Sequence, residues 1–231
     1  MFTGPFSESI IKRAIDKKLV AIEYVNIRDF ALDKYKTVDD HPYGGGAGMI
    51  LRVDVVDVAM SNVKCQMSNV KTKTILLDPR GKTYSQKKAM QLSKLDHIVL
   101  LCGHYEGVDE RIRSLVDEEI SIGDYILTGG EIPAMVIVDT IVRLLPGVLK
   151  KSESTQLESF TSALSTTPSS LNPTHYALNT LLEYPQYTRP SVWNKKKVPS
   201  VLLSGDHKKI IDWRERMALK ITKDHRPDLL G

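Results

Sequence analysis

The chain has 231 residues, of which 42% are hydrophobic and 26% charged, and its net charge is +4. This composition is ordinary for a soluble globular protein, and the length fits one large domain, or one domain with a smaller second one. No apolar run is long enough to span a bilayer, and the N-terminus lacks the pattern of a signal peptide. We therefore expect a cytoplasmic protein with no membrane partner.

The cysteine and histidine content argues against a disulfide framework and against a zinc site. The two cysteines, Cys65 and Cys102, give no disulfide framework and are typical of a reducing compartment. The six histidines are scattered, without the spacing of a motif such as H-E-x-x-H. The sequence therefore predicts no zinc site, and we assign no metal ligands.

Charge is unevenly distributed along the chain. Residues 189–231 carry 11 Lys and Arg against 5 Asp and Glu, a net charge of +6. Residues 1–188 carry 21 against 23, a net charge of −2. A basic excess at one end is typical of a surface that meets phosphates, although a solvated helical face would have the same composition.

The first elements are a helix, a strand and a glycine-rich loop. Ser7–Lys18 reads as a helix capped by Ser7, and the alternation in Leu19–Asn26 predicts a strand. Residues 37–49 (TVDDHPYGGGAGM) then form a loop with four glycines. Their spacing matches neither G-x-G-x-x-G nor a P-loop, which argues against dinucleotide and P-loop chemistry. The loop is either a flexible linker or a surface shaped to accept a flat group.

The middle of the chain alternates between helices and buried strands. Helices are predicted over Ile50–Asn62, Gln86–Lys94 and Val108–Leu115. Buried strands are predicted over Lys73–Leu77, which stops at Asp78-Pro79, and over His97–Cys102. Such alternation argues for an α/β fold with a parallel sheet covered on both faces.

Ligands of parallel sheets bind outside the carboxyl ends of the strands. Three loops are expected to converge there, and we call them the first, second and third strand-end loops: Leu76–Gly81, Gly103–Gly107 and Ile122–Gly130. The sequence therefore predicts one ligand pocket built from three loops.

An apolar helix follows the third strand-end loop. Ile132–Leu145 is apolar on almost every side, which is typical of a buried helix; Pro133 suits its first turn and Pro146-Gly147 ends it. The helix begins beside the pair Gly129-Gly130, so its free N–H groups face a loop without side-chain bulk. This arrangement suits a ligand that approaches the main chain, although a tight turn before a core helix would use the same glycines.

The last third of the chain changes character. Ser, Thr, Asn and Pro dominate Ser152–Thr180, which predicts a flexible linker that is disordered in the free protein. A helix predicted from about Lys208 to Ile221 carries Trp213 among basic residues. We therefore expect a linker over residues 151–188 and a small basic helical domain over 189–231.

Five blocks of the sequence carry a family resemblance. They are TVDDHPYGGGAGM (37–49), LLCGHYEGVDER (100–111), SIGDYILTGGEIPAMVIVDTIVRLLPGVL (121–149), YPQYTRP (184–190) and VPSVLLSGDHKKI (198–210). The chain resembles the bacterial tRNA (guanine-N1)-methyltransferases that modify guanosine-37 beside the anticodon, which belong to the SPOUT, or trefoil-knot, superfamily. The blocks cover nearly the whole chain in the family's order.

The resemblance implies a fold that composition does not reveal. Residues 1–150 would form a SPOUT-type parallel sheet with a trefoil knot, followed by the linker 151–188 and a tRNA-binding domain over 189–231. The family usually has an apolar strand ahead of Met1-Phe2, so either an upstream strand is encoded or the sheet lacks one; the C-terminus also stops early. The family works as a homodimer with shared active sites, binds the tRNA anticodon stem-loop and shows Mg²⁺ dependence.

Residue by residue, the resemblance implies three groups of site residues. S-adenosylmethionine would contact the strand-end loops and the start of the apolar helix at Leu76, Leu77, Asp78, Pro79, Gly103, Glu106, Ile122, Gly123, Asp124, Tyr125, Ile126, Leu127, Gly129, Gly130 and Pro133. The tRNA would contact Asp39, Asp40, Tyr43, Gly44, Gly45, Gly48 and His104. Glu158 would take the N1 proton of guanine, and Arg143 would stabilise charge growing on the base oxygen.

Each catalytic residue has a simpler explanation, and two positions depart from the family. Arg143 could pair with Asp139 at i,i+4 spacing, and Glu158 could be an exposed linker carboxylate. Glu158 stands where the family has Asp, and His104 where Arg is usual. The alternative function is therefore a catalytically impaired or inactive RNA-binding relative. A nicotinamide-dependent oxidoreductase is disfavoured because its glycine fingerprint is missing.

Overall fold

The computed structural model describes residues 2, 4–65, 70–104, 106–149, 158–160 and 181–230. They belong to two compact units, residues 1–150 and residues 151–231. The predicted disordered linker lies outside the described residues, apart from 158–160. No helix in the described ranges is long and apolar enough to cross a membrane.

The described residues of the first unit form five strands and four α-helices. The strands are β1 (Asp39–Asp40), β2 (Ile50–Leu51), β3 (Thr72–Thr83), β4 (His97–Cys102) and β5 (Glu118–Ser121). The helices are α1 (Ser9–Asp16), α2 (Val53–Cys65), α3 (Gln86–Leu92) and α4 (Glu131–Val142), with 3-10 helices at Ile27–Phe30 and Glu110–Leu115. β1 and β2 form an antiparallel pair, and β4-β3-β5 form a parallel sheet in that order. The predicted parallel α/β fold is confirmed.

β3 is the central strand, and both of its faces are buried. Ile75 and Leu76 are fully inaccessible to solvent. Because neighbouring residues of a strand point to opposite faces, they enter different cores. Leu76 packs in a cluster that includes Val56 of α2, whereas Ile75 packs in one that includes Ile137 of α4. The apolar run of β3 therefore reflects helices on both sides of the sheet.

β3 does not stop at Asp78, so the predicted end of this strand is wrong. The strand continues to Thr83, and its register with β5 shifts on the way, because Leu77 and Lys82 both pair with Ile120. Residues 78–81 form the irregular segment between these two pairings. Sequence reasoning treated Asp78-Pro79 as a stop signal, but a strand can pass such residues through a bulge.

Two predictions near the N-terminus are also wrong. Leu19–Asn26 forms no strand, and its alternation arises because Val20 and Ile22 pack against a helical cluster instead of a neighbouring strand. Ser7 does not cap α1, which begins at Ser9; the Ser7 hydroxyl donates to the carbonyl of Gly4 instead.

Other predicted bounds shift by a few residues. The segment predicted as one helix from Ile50 begins with β2, because Leu51 pairs with Asp39, and the helix starts at Val53. α3 ends at Leu92, and its start is fixed by Ser85, whose side chain accepts from the amide of Lys88. Val108–Leu115 is a 3-10 helix from Glu110 instead of an α-helix. β4 has the predicted bounds.

The second unit is built around one long helix. Its elements are the short strands β6 (Val192–Trp193) and β7 (Lys196–Lys197), the 3-10 helices Ser200–Leu203 and Pro227–Leu230, and α5 (His207–His225). The amide of Leu182 donates to the hydroxyl of Thr222 at 2.9 Å, and the amide of Glu183 donates to the hydroxyl of Ser159 at 2.9 Å. The first bond joins the segment from residue 181 onward to α5, and the second joins this segment to the described residues 158–160.

Candidate active site at the edge of the parallel sheet

The central strands β3, β4 and β5 reach the same level at Leu77, Cys102 and Ile120. Leu77 of β3 pairs with Cys102, the last residue of β4, and with Ile120 of β5. The bulge 78–81 of β3 and the segments that follow β4 and β5 therefore lie at one edge of the sheet, as predicted for the strand-end loops.

The second and third strand-end loops are bonded to each other through their backbones. The amide of Gly130 donates to the carbonyl of Gly103 at 2.9 Å. His104 and Gly129 form an isolated antiparallel bridge beside this bond. The two loops thus form a continuous strip of main chain along the edge of the sheet.

The pair Gly129-Gly130 at the end of the third loop is closely packed. A Cβ at Gly130 would lie 2.7 Å from the Cα of Cys102. A Cβ at Gly129 would lie 2.4 Å from Oε2 of Glu131 and 2.7 Å from Nδ1 of His104. Real Cβ atoms do not approach other atoms so closely. The atoms beside Gly130 are backbone, so a side chain there would push the loops apart, whereas the Glu131 and His104 side chains beside Gly129 can move aside. The glycine pair therefore holds the two loops together, in addition to leaving main-chain groups at the start of α4 accessible.

The start of α4 lies at this strip. Its N-cap is Gly130, which provides no side-chain cap, and Pro133 occupies the first turn as predicted. The first N–H groups of a helix have no partner within the helix, so those of Glu131 and Ile132 can serve a ligand.

The remainder of the third loop carries exposed apolar side chains. Tyr125 is 54% exposed and Ile126 is 80% exposed, whereas Ile122 and Leu127 are half-buried. Gly123 has a φ of +151°, and its conformation lets the Tyr125 ring fold back, so that the Tyr125 hydroxyl donates to the carbonyl of Ile122. Exposed apolar groups on a glycine-containing loop suit contact with a partly apolar ligand.

The glycine-rich loop 37–49 contacts the second strand-end loop. The amide of Glu106 donates to the carbonyl of Met49 at 3.2 Å, and the amide of Leu51 donates to the carbonyl of Gly107 at 3.0 Å. A Cβ at Gly48, whose φ is +81°, would lie 2.4 Å from Cγ of Glu106. The structure thus brings a residue predicted to contact tRNA beside one predicted to contact the cofactor.

Other residues predicted to contact tRNA lie along the same loop. Tyr43, Gly44 and Gly45 are exposed, and both glycines have positive φ. Asp40 is exposed, and its carboxylate accepts from the amide of His41. Asp39 is largely buried, and its carboxylate lies 3.9 Å from the guanidinium of Arg28.

The first strand-end loop is held by ion pairs. The Asp78 carboxylate is buried and accepts from the guanidinium of Arg113 at 3.0 Å and from the amide of Arg80 at 2.8 Å. Arg113 also pairs with Glu119 of β5. With Leu76 and Leu77 buried in the core, this loop can offer a ligand its backbone and Pro79, which is exposed.

Sequence reasoning missed Glu131, which lies between the two bonded loops. Its Oε1 lies 3.9 Å from Nδ1 of His104, and its buried Oε2 has no hydrogen-bond partner among the described residues. Burial raises the pKa of the nearby Cys102 thiol to about 12, and the charge of Glu131 adds to this rise. The position of Glu131 directly after two glycines, at the first turn of a helix, was the available signal.

The two residues predicted to be catalytic belong to different units. Arg143 follows the last residue of α4, is partly buried, and its amide donates to the carbonyl of Asp139 at 3.3 Å. Glu158 is partly buried next to Ser159 in the second unit. Their joint role therefore stays a prediction.

Acidic and histidine side chains do not cluster in the way a metal requires. Within the part of the chain that the structure describes, no group of three or more His, Cys, Asp or Glu residues could hold a metal ion.

These features define a parallel α/β protein with a backbone-lined site at the carboxyl edge of its sheet. The family described as tRNA (Guanine-1)-methyltransferase TrmD matches residues 1–231, so the chain belongs to this family.

Full-length relatives agree with this assignment. The chain is 51% identical to a tRNA (guanine-N(1)-)-methyltransferase of Alkaliphilus metalliredigens, over 100% of this chain and 87% of the relative. It is 51% identical to that of Dictyoglomus turgidum, over 100% and 85%, and 52% identical to that of Geobacillus kaustophilus, over 100% and 87%.

Proposed function

We propose that the protein transfers a methyl group from S-adenosylmethionine to N1 of guanosine-37 in tRNA. The family match over the whole chain supports this function, as do relatives near 50% identity that bear the enzyme's name. The structural observation that carries it is the backbone bond between Gly130 and Gly103, which joins two of the strand-end loops into one site.

A trefoil knot in the first unit is part of the proposal. After Leu77 the chain leaves its pairing with Ile120 and returns to pair with the same residue through Lys82. Gly81 lies directly against the backbone of Ile120. Such intimate contact between the segment after β3 and the neighbouring strand supports a chain that threads closely at this edge, as a SPOUT fold requires. We further propose a homodimer with shared sites, the linker 151–188 and the tRNA-binding domain 189–231.

The strand-end loops fit S-adenosylmethionine. A nucleoside needs main-chain donors and acceptors for its base and an apolar surface for its face, which the glycine strip and the exposed Tyr125 and Ile126 provide. The buried, unsatisfied Oε2 of Glu131 suits a ligand that carries positive charge. When bound, the cofactor supplies an electrophilic methyl group on a sulfonium.

Residues of this chain would then activate and position the guanine. N1 carries a proton and is a poor nucleophile while it does, so a carboxylate must remove it; we assign this role to Glu158. Negative charge moves to the base oxygen as the proton leaves, and we assign its stabilisation to the Arg143 guanidinium. A carboxylate is present whether this residue is Asp or Glu, so the chemistry is retained with a longer side chain.

The RNA side of the site uses the loop 37–49. Its exposed glycines and Tyr43 present a surface beside Glu106, and we propose that the extruded guanine and its neighbours are held there, with His104. Mg²⁺ dependence, as implied by the family resemblance, is also proposed. Nothing among the described residues or the comparisons supports an inactive RNA-binding relative.

The test is methyl transfer from radiolabelled S-adenosylmethionine to tRNA transcripts that carry G or A at position 37. Methylated N1 blocks base pairing, so a reverse-transcription stop at position 37 reports the product. We expect Glu158→Gln and Arg143→Gln each to lower the rate by about 100-fold or more, whereas Glu158→Asp retains activity. The control Glu23→Gln changes an exposed carboxylate elsewhere. Equal labelling of the G and A transcripts would contradict the assigned position, and full activity of Glu158→Gln would contradict the assigned base.

A further inference from the structure

A cavity of about 440 Å³ lies in the second unit. Its walls come from the segment around Tyr184–Arg189, the end of the 3-10 helix Ser200–Leu203, and α5. Its volume lies within the range of about 300–1,000 Å³ that is usual for small-ligand sites. It can therefore take a ligand of nucleotide size.

Two aromatic rings form one side of this cavity. The ring centroids of Tyr187 and Trp213 are 6.3 Å apart, and the ring planes meet at 56°. Because the rings are tilted, they do not stack face to face on each other, and each keeps a face for another planar group. Tyr187 is 50% exposed, and Leu203, which also lines the cavity, is 63% exposed. Both side chains therefore offer apolar surface to a ligand in the cavity.

Two arginines supply positive charge to the same cavity. The guanidinium of Arg214 lies over the ring of Tyr184, 4.8 Å from its centroid, and its buried Nε has no hydrogen-bond partner among the described residues. Arg189 also lines the cavity and is exposed. None of the described lining residues is Asp or Glu. The cavity thus has cationic donors without a carboxylate in its lining to accept from them.

Planar apolar faces beside arginine donors are the features that recognise an unstacked nucleotide. The rings match the face of a base, and the guanidinium groups match its phosphate. The surrounding segment from residue 189 onward has a net charge of +6, which favours a polyanion over a neutral or cationic partner.

We propose that this cavity binds one unstacked nucleotide of the tRNA, with the base against Tyr187 and Trp213 and the phosphate at Arg189 and Arg214. The inference rests on the proposed function for the identity of the RNA, and it adds a second recognition site to the one at the strand-end loops. The binding energy comes from stacking and charge. This site therefore increases the affinity for tRNA and fixes the position of the tRNA on the protein, but it discriminates little between bases.

The first test compares Tyr187→Leu with Tyr187→Phe in the full chain, by titration with a tRNA transcript. Tyr187→Leu removes the ring, and we expect the affinity to fall roughly tenfold, the order contributed by stacking of one base. Tyr187→Phe keeps the ring, so its affinity stays within about twofold of the parent's if stacking is the source. Tyr35→Leu, an exposed tyrosine in the first unit, is the matched control with unchanged affinity.

Trp213 provides a direct probe of the cavity. The chain has two tryptophans, so Trp193→Phe leaves Trp213 as the sole indole. We expect the tRNA transcript to quench its fluorescence, because a stacked base would cover the ring. Arg189→Gln should lower the slope of log affinity against log salt by about one, as expected for loss of one phosphate contact.

Calorimetry with S-adenosylmethionine separates this inference from the proposed function. The cofactor affinity should be unchanged in Tyr187→Leu, because the strand-end loops belong to the first unit. A parent that methylates tRNA, together with a Tyr187→Leu variant that binds it with unchanged affinity, would overturn the second site and leave the activity intact. The second site would also be overturned if Tyr187→Leu only lowers the melting temperature, since the cavity would then serve packing. A parent that binds the cofactor but neither binds nor methylates tRNA would overturn both proposals.

Discussion

Gly81 lies so close to Ile120 that no other residue fits at position 81. A Cβ built on Gly81 would be 2.5 Å from the amide nitrogen of Ile120 and 2.6 Å from the carbonyl carbon of Glu119. The contacting atoms are backbone, so they cannot rotate away as a side chain would. The bulge of β3 and the strand β5 are therefore packed main chain against main chain.

The first prediction concerns the stability of this contact. Gly81→Ala should lower the free energy of unfolding by about 1–3 kcal/mol, the usual effect of overpacking, because a β-strand must shift to admit the methyl group. Thermal unfolding measures this change. Gly4→Ala is the control, since a Cβ at Gly4 meets nothing within 4 Å. Equal melting temperatures for the two variants would contradict the contact.

The second prediction concerns the proposed cofactor site. Gly130→Ala places a methyl group 2.7 Å from the Cα of Cys102, which separates the two loops joined by the bond from Gly130 to Gly103. We expect the affinity for S-adenosylmethionine to fall by a factor on the order of ten or more. The reason is that the two loops would move apart, although no side chain that contacts the ligand is removed. Calorimetry measures this affinity, and Gly4→Ala is again the control variant. Wild-type affinity in Gly130→Ala would show that the loop pair is not part of the cofactor site.

The third prediction concerns the two thiols. Burial raises the pKa of Cys102 to about 12, so its thiolate is scarce at pH 8, whereas Cys65 is exposed. The thiolate is the reactive form. Iodoacetamide at pH 8 should therefore modify the folded protein at Cys65 and reach Cys102 only after unfolding. Mass spectrometry of Cys65→Ser should then show an unlabelled folded chain; rapid labelling of that variant would contradict the burial of Cys102.

The fourth prediction concerns acid stability. Burial alone would raise the pKa of Glu118, but hydrogen bonds from Lys88 and Lys73 outweigh it and hold the pKa below the ordinary value of 4.5. A depressed carboxyl pKa stabilises the folded state above the unfolded-state value, and this stabilisation is lost as the pH falls through the folded-state value. Glu118→Gln should therefore melt below the parent at pH 7, and the difference should shrink below about pH 4.5.

Melting curves at pH 3 to 7 check this expectation. Glu8→Gln is the control, because it removes an exposed carboxylate from the same unit. A difference in melting temperature between Glu118→Gln and the parent that stays constant across this range would contradict the prediction. It would mean that the Glu118 side chain stabilises the fold by packing and not by its charge.

The middle of the fold was predictable because its signals are local. Ile98–Cys102 is an uninterrupted apolar run, and the structure has a strand over the six predicted residues His97–Cys102. The helix after Gly130 was likewise predictable from its apolar composition and Pro133. Because the predicted strands are parallel, their carboxyl ends lie at the same edge of the sheet. The segments after Leu77, Cys102 and Ser121 could therefore be predicted to lie near one another.

The errors arise where tertiary contacts override local pattern. Apolar and polar residues alternate in Leu19–Asn26 as they would in a strand. In the structure Val20 and Ile22 pack against a helical cluster, and a local sequence pattern does not reveal such a contact. Asp78-Pro79 is typical of the end of a strand. β3 nevertheless continues, because Lys82 pairs with Ile120 of β5, which also pairs with Leu77. Glu131 was missed because its role depends on the approach of His104 from another loop.

The bonded pair Gly103 and Gly130 has a consequence for inhibition. A competitive inhibitor of the proposed cofactor site would contact peptide groups, which any substitution other than one to proline leaves in place. A side chain at Gly130 would clash with the backbone of Cys102, so a substitution there would disturb the site itself. Drug resistance would have to arise at the rim, at residues such as Ile126, or through raised expression.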